Sequence, residues 1–316
     1  MTRILVSKLL RDIRWPLLAV SLLLLAFSIL WVVIAQRVTS EIAPFFNAVA
    51  GLNKLDPKIF EEVLFKGPGR VSQAVMGGGE VRFDEPTDFL AVEMLHPVIL
   101  TLAWLWAVGR AAGAIAGELD RGTMELLVSQ PVPRSRLILA HFIVDCVVIP
   151  VFVLSIMAGV RIGLEIVGPF KVDYTVLKPL QEKSPFPLPK GPDVLTIHME
   201  RQWTAIVCLA SLMFAISGLA IAISSLNRSR WKAMGIGALV VIGMFILNVL
   251  GQLWEPLSRL RPISFFYYYL PQKAWLKADW STELGVSGVP VLIIVGFLGY
   301  FFAWRAFERR DLPAPL

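Results

Sequence analysis

The sequence predicts an all-α polytopic membrane protein with six transmembrane helices. Three observations support this fold class: 56% of the 316 residues are hydrophobic, only 17% are charged, and the mean hydropathy is +0.67. Soluble domains contain about a quarter charged residues, whereas an apolar run of about 20 residues can cross the hydrocarbon core as a helix. The predicted spans are residues 16–35, 97–116, 137–160, 203–226, 233–254 and 285–304. They make residues 1–316 a single transmembrane domain.

An amphipathic helix is predicted before the first span. At about 100° per residue, Leu5 and Leu9 share one face, whereas Lys8 and Arg11 lie on the other. Such a basic helix suits the headgroup plane of a membrane, and a disordered cationic leader is the alternative. A signal peptide is disfavoured because its apolar core is usually only about 7–15 residues long.

Three longer segments are predicted to lie outside the membrane. The segment 36–96 contains nine acids and six bases. We interpret it as a small external cap, with a tolerated loop insertion as the alternative. Its glycine run 77–79 is not a phosphate-binding loop, because no Gly-Lys-Ser/Thr follows it. The segment 161–202 is rich in proline, which favours extended chain.

The third external segment, residues 255–283, is rich in aromatic residues and interrupted by prolines. Aromatic rings with polar tips prefer the membrane–water interface. We therefore expect one or two short, half-inserted helices in front of the last span, with the rings in the headgroup region. An aromatic binding site is the alternative interpretation.

The spans contain few ionisable residues. His141 and Asp145 are four residues apart in the third span, so they share one helix face. An ionisable group at that depth is a candidate for function, and a structural bond to another span is the alternative. Arg110 lies near the end of the second span and is expected to extend toward the cytoplasmic surface.

The composition argues against several other classes of protein. Cys146 and Cys208 both lie within apolar runs, where a cysteine acts as a small apolar residue. Spacing alone leaves a disulfide open. The three histidines do not cluster, so no metal site is predicted. The net charge of +6 would suggest a nucleic-acid partner in a soluble protein, but here membrane topology explains it and the bilayer is the expected partner.

The distribution of basic residues predicts the orientation. Cytoplasmic loops carry an excess of lysine and arginine, and the short loop 227–232 has three bases and no acid. With six spans, this rule assigns both termini, the 227–232 loop and the segment 117–136 to the cytoplasm. The three longer segments then lie on the opposite side.

The segment 117–136, GELDRGTMELLVSQPVPRSR, is the most distinctive part of the sequence. It is too polar for hydrocarbon, and it combines charges of alternating sign with a short apolar block. The pair Gly122-Thr123 can break or cap a helix, and Pro131 can end one. We interpret the segment as a short amphipathic helix presented to a partner at the membrane surface. From physical chemistry alone, an ordinary polar loop fits equally well.

The pattern Glu118-x-x-x-Gly122-Thr123-x-Glu125-x-Leu127-x-x-x-Pro131-x-x-Arg134 resembles the signature of ABC-2 type transporter permeases. The tail 306–312 is similar to that family as well. The resemblance implies that the segment is the cytoplasmic coupling helix, which docks on a separate ATPase subunit. The docking residues would be Glu118, Asp120, Arg121, Gly122, Thr123, Glu125, Leu126, Leu127, Pro131 and Arg134.

The resemblance also implies a function. The chain would be the permease subunit of an ABC transporter, an exporter in the cytoplasmic membrane of a bacterium or archaeon. It would form a dimer with a second copy or a homologous permease, together with two copies of the ATPase subunit. The sequence has no Walker A motif, so no enzyme activity and no cofactor are expected in this chain. ATP and Mg²⁺ would bind to the partner.

Two other functions are compatible with parts of the sequence. A membrane scaffold or mechanotransmission subunit, acting on an extracytoplasmic partner without moving a substrate, is the alternative, and the large segment 36–96 would suit it. A secondary transporter is disfavoured, because the sequence shows no internal repeat and only Asp145 lies deep in a span. No set of residues identifies a substrate.

Overall fold

The computed structural model describes residues 2–42, 85–124, 133–183 and 193–310, together with the isolated residues 44, 48 and 74. Of these residues, 82% are helical, and none of them forms a β-strand. The predicted all-α class is therefore confirmed.

Six of the helices are long and apolar enough to cross a membrane, which confirms the predicted six spans. These helices are α1 (Thr2–Arg37), α3 (Pro97–Ala112, which reaches spanning length together with the preceding residues as Pro86–Ala112), α5 (Arg134–Val167), α7 (Gln202–Leu226), α8 (Arg230–Leu253) and α11 (Gly288–Arg309). The shorter helices are α2 (Pro86–Val92), α4 (Ala116–Asp120), α6 (Lys178–Lys183), α9 (Glu255–Ser258) and α10 (Pro271–Lys277). Single helical turns are formed by Val38–Ile42, Glu93–Leu95, Tyr174–Leu177, Arg261–Ile263 and Phe265–Tyr268.

The first helix differs from the prediction. The amphipathic stretch and the first span form one continuous helix, α1, which runs through Pro16. Proline removes one backbone hydrogen bond and crowds the preceding turn, but the helix continues past it here. The helical conformation therefore does not end between the amphipathic stretch and the span.

Two glycines determine helix ends that hydropathy places elsewhere. Helix α5 continues past the predicted end at residue 160 and stops at Gly168, where φ is 73°. Helix α11 begins three residues later than predicted, because Gly285, with φ of 72°, makes a turn that pairs Ser281 with Ser287. Both glycines adopt a conformation that other residues rarely reach.

Helix α7 forms the centre of the bundle. Buried residues make up 18 of its 25 positions, and it packs against α3, α5, α8 and α11. Glycines allow its close approach to α11: a Cβ atom added to Gly218 would overlap the backbone of Gly296. A second close contact joins α1 to α5, where a Cβ at Gly159 would lie 2.6 Å from the Leu25 carbonyl oxygen. Such small residues bring helix backbones together in membranes.

The aromatic segment before α11 forms short helices and turns and packs against the bundle. Phe265, Tyr269 and Trp275 are all buried. The Tyr269 hydroxyl donates a hydrogen bond to the Met94 carbonyl (2.7 Å), and the Trp275 indole donates to the His198 carbonyl (3.0 Å). These backbone acceptors satisfy the polar tips inside the protein, so the rings do not need the interface.

Both cysteines are free thiols. Cys146 is exposed on α5, and Cys208 is buried on α7. The structure therefore shows no disulfide between them.

Candidate functional site

The segment between α3 and α5 begins with a compact turn built around Glu118. Arg121 donates to one carboxylate oxygen of Glu118 at 2.5 Å, and the Thr123 hydroxyl donates to the other at 2.5 Å. Gly122 has a φ of 70°, which reverses the chain directly after α4. The charges of Asp120 and Arg121 remain exposed at the tip. The turn therefore has a defined shape and presents charges of both signs.

A single hydroxyl joins this turn to the centre of the bundle. Residues 113–115 interrupt the helix between α3 and α4, which leaves backbone groups without helical partners. The Ser224 hydroxyl of α7 donates to the Ala112 carbonyl (3.0 Å) and accepts from the Ile115 and Ala116 amides (3.2 and 3.0 Å). Ser224 is fully buried, and these three bonds use its one proton and both lone pairs.

A second contact holds α4 against the start of α8. The Arg230 amide donates to the Asp120 carboxylate at 3.4 Å. The Arg230 side chain lies along α4, because a Cβ at Gly117 would be 3.6 Å from its Cδ atom. Helix α4 is thus fixed to two spans other than the one that precedes it.

Arginines connect the start of α5 to the ends of α7 and α11. Arg134 donates to the carbonyls of Phe307 (3.2 Å) and Arg310 (2.6 Å). Arg310 in turn donates to the carbonyls of Ser225 (2.6 Å) and Asn227 (3.0 Å). Cations suit these helix C-terminal carbonyls. Burial, together with the nearby Arg228, lowers the pKa of Arg310.

A buried charged cluster lies about 16 Å along α5 from Arg134. Arg110 of α3 forms an ion pair with Asp145 of α5, whose carboxylate also accepts a hydrogen bond from the Tyr300 hydroxyl of α11. A second guanidinium nitrogen of Arg110 lies 3.2 Å from Nδ1 of His141. The cluster connects three spans through groups removed from solvent.

The cluster corrects one expectation from the sequence. Arg110 does not extend toward the surface: its side chain is only 8% exposed and points at Asp145. An arginine and a carboxylate that are both removed from water favour pairing over separate solvation. The structure thus brings Arg110 together with the two intramembrane candidates, His141 and Asp145.

The structure brings together only some of the predicted docking residues. Glu118, Arg121 and Thr123 form the turn, Asp120 lies beside α8, and Arg134 lies at the far end of the segment against α11. Glu125, Leu126, Leu127 and Pro131 fall outside the described residues.

Sequence reasoning missed Ser224, Arg230, Tyr300 and Arg310. A serine or tyrosine within an apolar span is a weak signal, because most such hydroxyls bond to their own helix, as Ser225 does to Ala222 (2.7 Å). Within the described ranges, no group of three or more His, Cys, Asp or Glu residues is placed to hold a metal ion.

Comparison with known proteins places these features in a family. No curated protein matches the chain. The family model described as "ABC-2 family transporter protein" matches residues 60–312, which is most of the chain and includes the turn around Glu118, the charged cluster and five of the six long helices. The chain therefore belongs to the ABC-2 family of transporter membrane proteins.

Proposed function

We propose that this chain couples ATP hydrolysis by a separate ATPase subunit to the movement of a substrate, using the segment after α3 as its coupling helix. Membership of the family makes the chain the membrane subunit of an ABC transporter, which associates with an ABC ATPase and is not itself a catalytic enzyme. The proposal concerns how movement of that partner reaches the spans.

The contact that carries the proposal is the attachment of α4 to Ser224. A loose loop would absorb a push from a partner, whereas α4 is hydrogen-bonded to α7 and packed on α8. Displacement of the exposed Asp120–Arg121 tip would therefore displace two spans besides the preceding one. This is a rigid-body mode of transmission.

The buried cluster supports a second step. Helices α3 and α5 are the two spans connected by the coupling segment, and Arg110 and Asp145 pair them directly. Tyr300 adds α11 to the same group. In this proposal, Arg110, His141, Asp145 and Tyr300 are positioning residues that make the three spans tilt together, because separating the charges inside the membrane is costly.

We also propose the subunit composition and the membrane location of the transporter. The working unit is a dimer of this chain with a second copy or a homologous permease, together with two ATPase subunits that bind ATP and Mg²⁺. It lies in the cytoplasmic membrane of a bacterium or archaeon with both termini inside, as the basic loop 227–232 favours. Resemblance to the ABC-2 permeases favours export. The exposed acids and bases of the coupling turn would set its register on the ATPase by charge complementarity.

The first experiment is purification of the tagged full-length chain from gently solubilised membranes. A stoichiometric P-loop subunit with ATPase activity is the expected companion. A folded chain without such a companion would contradict the proposal.

The second experiment changes the turn in that complex. In Gly122→Ala, a Cβ meets no described atom within 4 Å, but the φ of 70° disfavours alanine. We expect ATPase activity to lose its dependence on the permease while both chains still co-purify. Gly109→Ala is the matched control, because Gly109 lies within α3 and also has open space around it. Equal coupling in both variants would contradict the role given to the turn.

A further inference from the structure

An apolar groove runs between α7 and α11 on the outer surface of the bundle. Its walls come from Leu219, Ile223 and Leu226 on α7 and from Leu298, Gly299 and Phe302 on α11. The two helices touch through their backbones at Gly218 and Gly299, and the groove runs beside this contact. From Leu219 to Leu226 the groove is about 10 Å long, or about two-thirds of one leaflet's hydrocarbon thickness.

The groove lies toward the coupling end of the bundle, defined here as the end that carries α4, the Asn227–Ser229 turn and the last turn of α11. Its rim is open, since Leu226 and Leu298 are 61% and 60% exposed. An apolar surface open to the side of a transmembrane bundle faces acyl chains. A concave apolar surface contacts an acyl chain over a larger area than a flat helix face does.

The apolar stripe on α11 continues into basic residues. Leu298, Phe302, Arg305 and Arg309 are spaced by four, three and four residues, so they lie on one face of the helix. Arg228 lies in the turn after α7, two residues beyond Leu226. Within the described residues, Arg228, Arg305 and Arg309 form no ion pair with an acid. Among the described residues, three arginines without a carboxylate partner therefore follow the end of an apolar groove.

We propose that this groove binds one anionic phospholipid of the leaflet at the coupling end. One acyl chain lies between α7 and α11, and the phosphate lies among Arg228, Arg305 and Arg309. The groove supplies apolar contact, the arginines supply charge complementarity, and their order along α11 matches the order of chain and headgroup in a lipid. The site is separate from the coupling turn.

The test uses the purified full-length chain, delipidated in detergent and titrated with phosphatidylglycerol or phosphatidylcholine of the same chain length. Bound lipids are counted by native mass spectrometry. We expect one phosphatidylglycerol to bind at least tenfold more tightly than phosphatidylcholine. In R305Q/R309Q, we expect phosphatidylglycerol to bind about thirty-fold more weakly, the factor given by about 1 kcal/mol for each of two bases. Phosphatidylcholine binding should be unchanged.

Two variants test the groove itself. I223W and L298W fill it from opposite walls, and either should weaken the binding of both lipids. L239W is the matched control, because Leu239 is 72% exposed on α8 and does not line the groove. The charge control is R161Q/R259Q, which removes two exposed arginines elsewhere.

The possible outcomes distinguish a bound anionic phospholipid from a free phosphate. Unchanged phosphatidylglycerol binding in both tryptophan variants would overturn the proposal. So would an equal loss in R305Q/R309Q and R161Q/R259Q, which would indicate a general charge effect. Displacement of the lipid by glycerol phosphate, which has no acyl chain, would show that the arginines bind a free phosphate and that the groove is not involved.

Discussion

Arg110 of α3 and Asp145 of α5 form an ion pair inside the bundle, with side chains only 8% and 1% exposed. The pair joins the two spans on either side of the segment 117–136, about 16 Å along α5 from Arg134. Tyr300 shares the carboxylate, so the same charge also positions α11. Because both side chains are removed from water, replacing either one would leave the other as an unpaired buried charge and destabilise the fold.

Asp145→Asn should lower the free energy of unfolding by about 3–5 kcal/mol, because it leaves the buried Arg110 without a counter-charge. Equilibrium unfolding in mixed micelles measures this loss. The double variant Arg110→Met/Asp145→Leu should recover most of it, since neither charge then remains buried. A double variant as unstable as the sum of the single changes would mean that the two residues act separately.

Ser224→Ala should weaken the attachment of residues 112–116 to α7 without disrupting α7 itself. The change leaves the buried amides of Ile115 and Ala116 unpaired, at a cost of about 1–3 kcal/mol. Hydrogen exchange of these two amides should become faster. Ser225→Ala is the matched control, because Ser225 is equally buried but its hydroxyl bonds only within its own helix. Similar exchange at residues 115 and 116 in both variants would argue against attachment of these amides to α7 through the Ser224 hydroxyl.

Gly218→Ala should destabilise the bundle by about 1–3 kcal/mol or more, because the added methyl group collides with the Gly296 backbone. Thermal unfolding of the purified protein measures the effect. Gly243→Ala on α8 meets no described atom within 4 Å and should be neutral or slightly stabilising. A stable Gly218→Ala protein would mean that α7 and α11 have room to separate.

The turn before α11 should show a pH dependence. Hydrogen bonds from Lys273 and Ser281 hold the pKa of Asp279 well below its ordinary value. A folded-state pKa below the unfolded one adds stability above the unfolded pKa, and this stability is lost as the pH falls through the folded value. The Tm difference between the wild type and Asp279→Asn should therefore be largest near neutral pH and shrink in strong acid.

Glu255→Gln provides the control for this experiment. Glu255 is exposed, and its carboxylate has no partner among the described residues. Its substitution measures the effect of removing an exposed carboxylate that makes no described contact. A pH-independent difference for Asp279→Asn would show that the contacts with Lys273 and Ser281 do not depend on the charge of Asp279.

The spans were predictable because hydropathy is a local property of the chain. Each of the six overlaps a long helix of the structure over most of its length, and the differences are at the ends. Those ends depend on backbone conformation: Gly168 and Gly285 adopt positive φ values that no apolar window detects. Gly122 was easier to identify, because a glycine between charged residues outside a span already suggests a turn.

The partners inside the bundle were not predictable in the same way. His141 and Asp145 were identified because an ionisable residue is conspicuous in an apolar run. That Arg110 and Tyr300 meet Asp145 depends on how three helices are rotated about their axes, and the periodicity of one helix does not contain that information. The partners of Ser224 were unpredictable for the same reason. The Ser224 hydroxyl points to residue 112 of another helix, whereas the hydroxyl of the neighbouring Ser225 bonds within α7.

The backbone contact between α7 and α11 restricts how the protein can change shape. Because Gly218 lies directly against Gly296 and Gly299, neither helix can twist about its own axis without driving carbonyl groups into its neighbour. The pair has lost a rotational degree of freedom and retains mainly tilting and translation as a unit. Rotation of either helix alone would require the two backbones to move apart first.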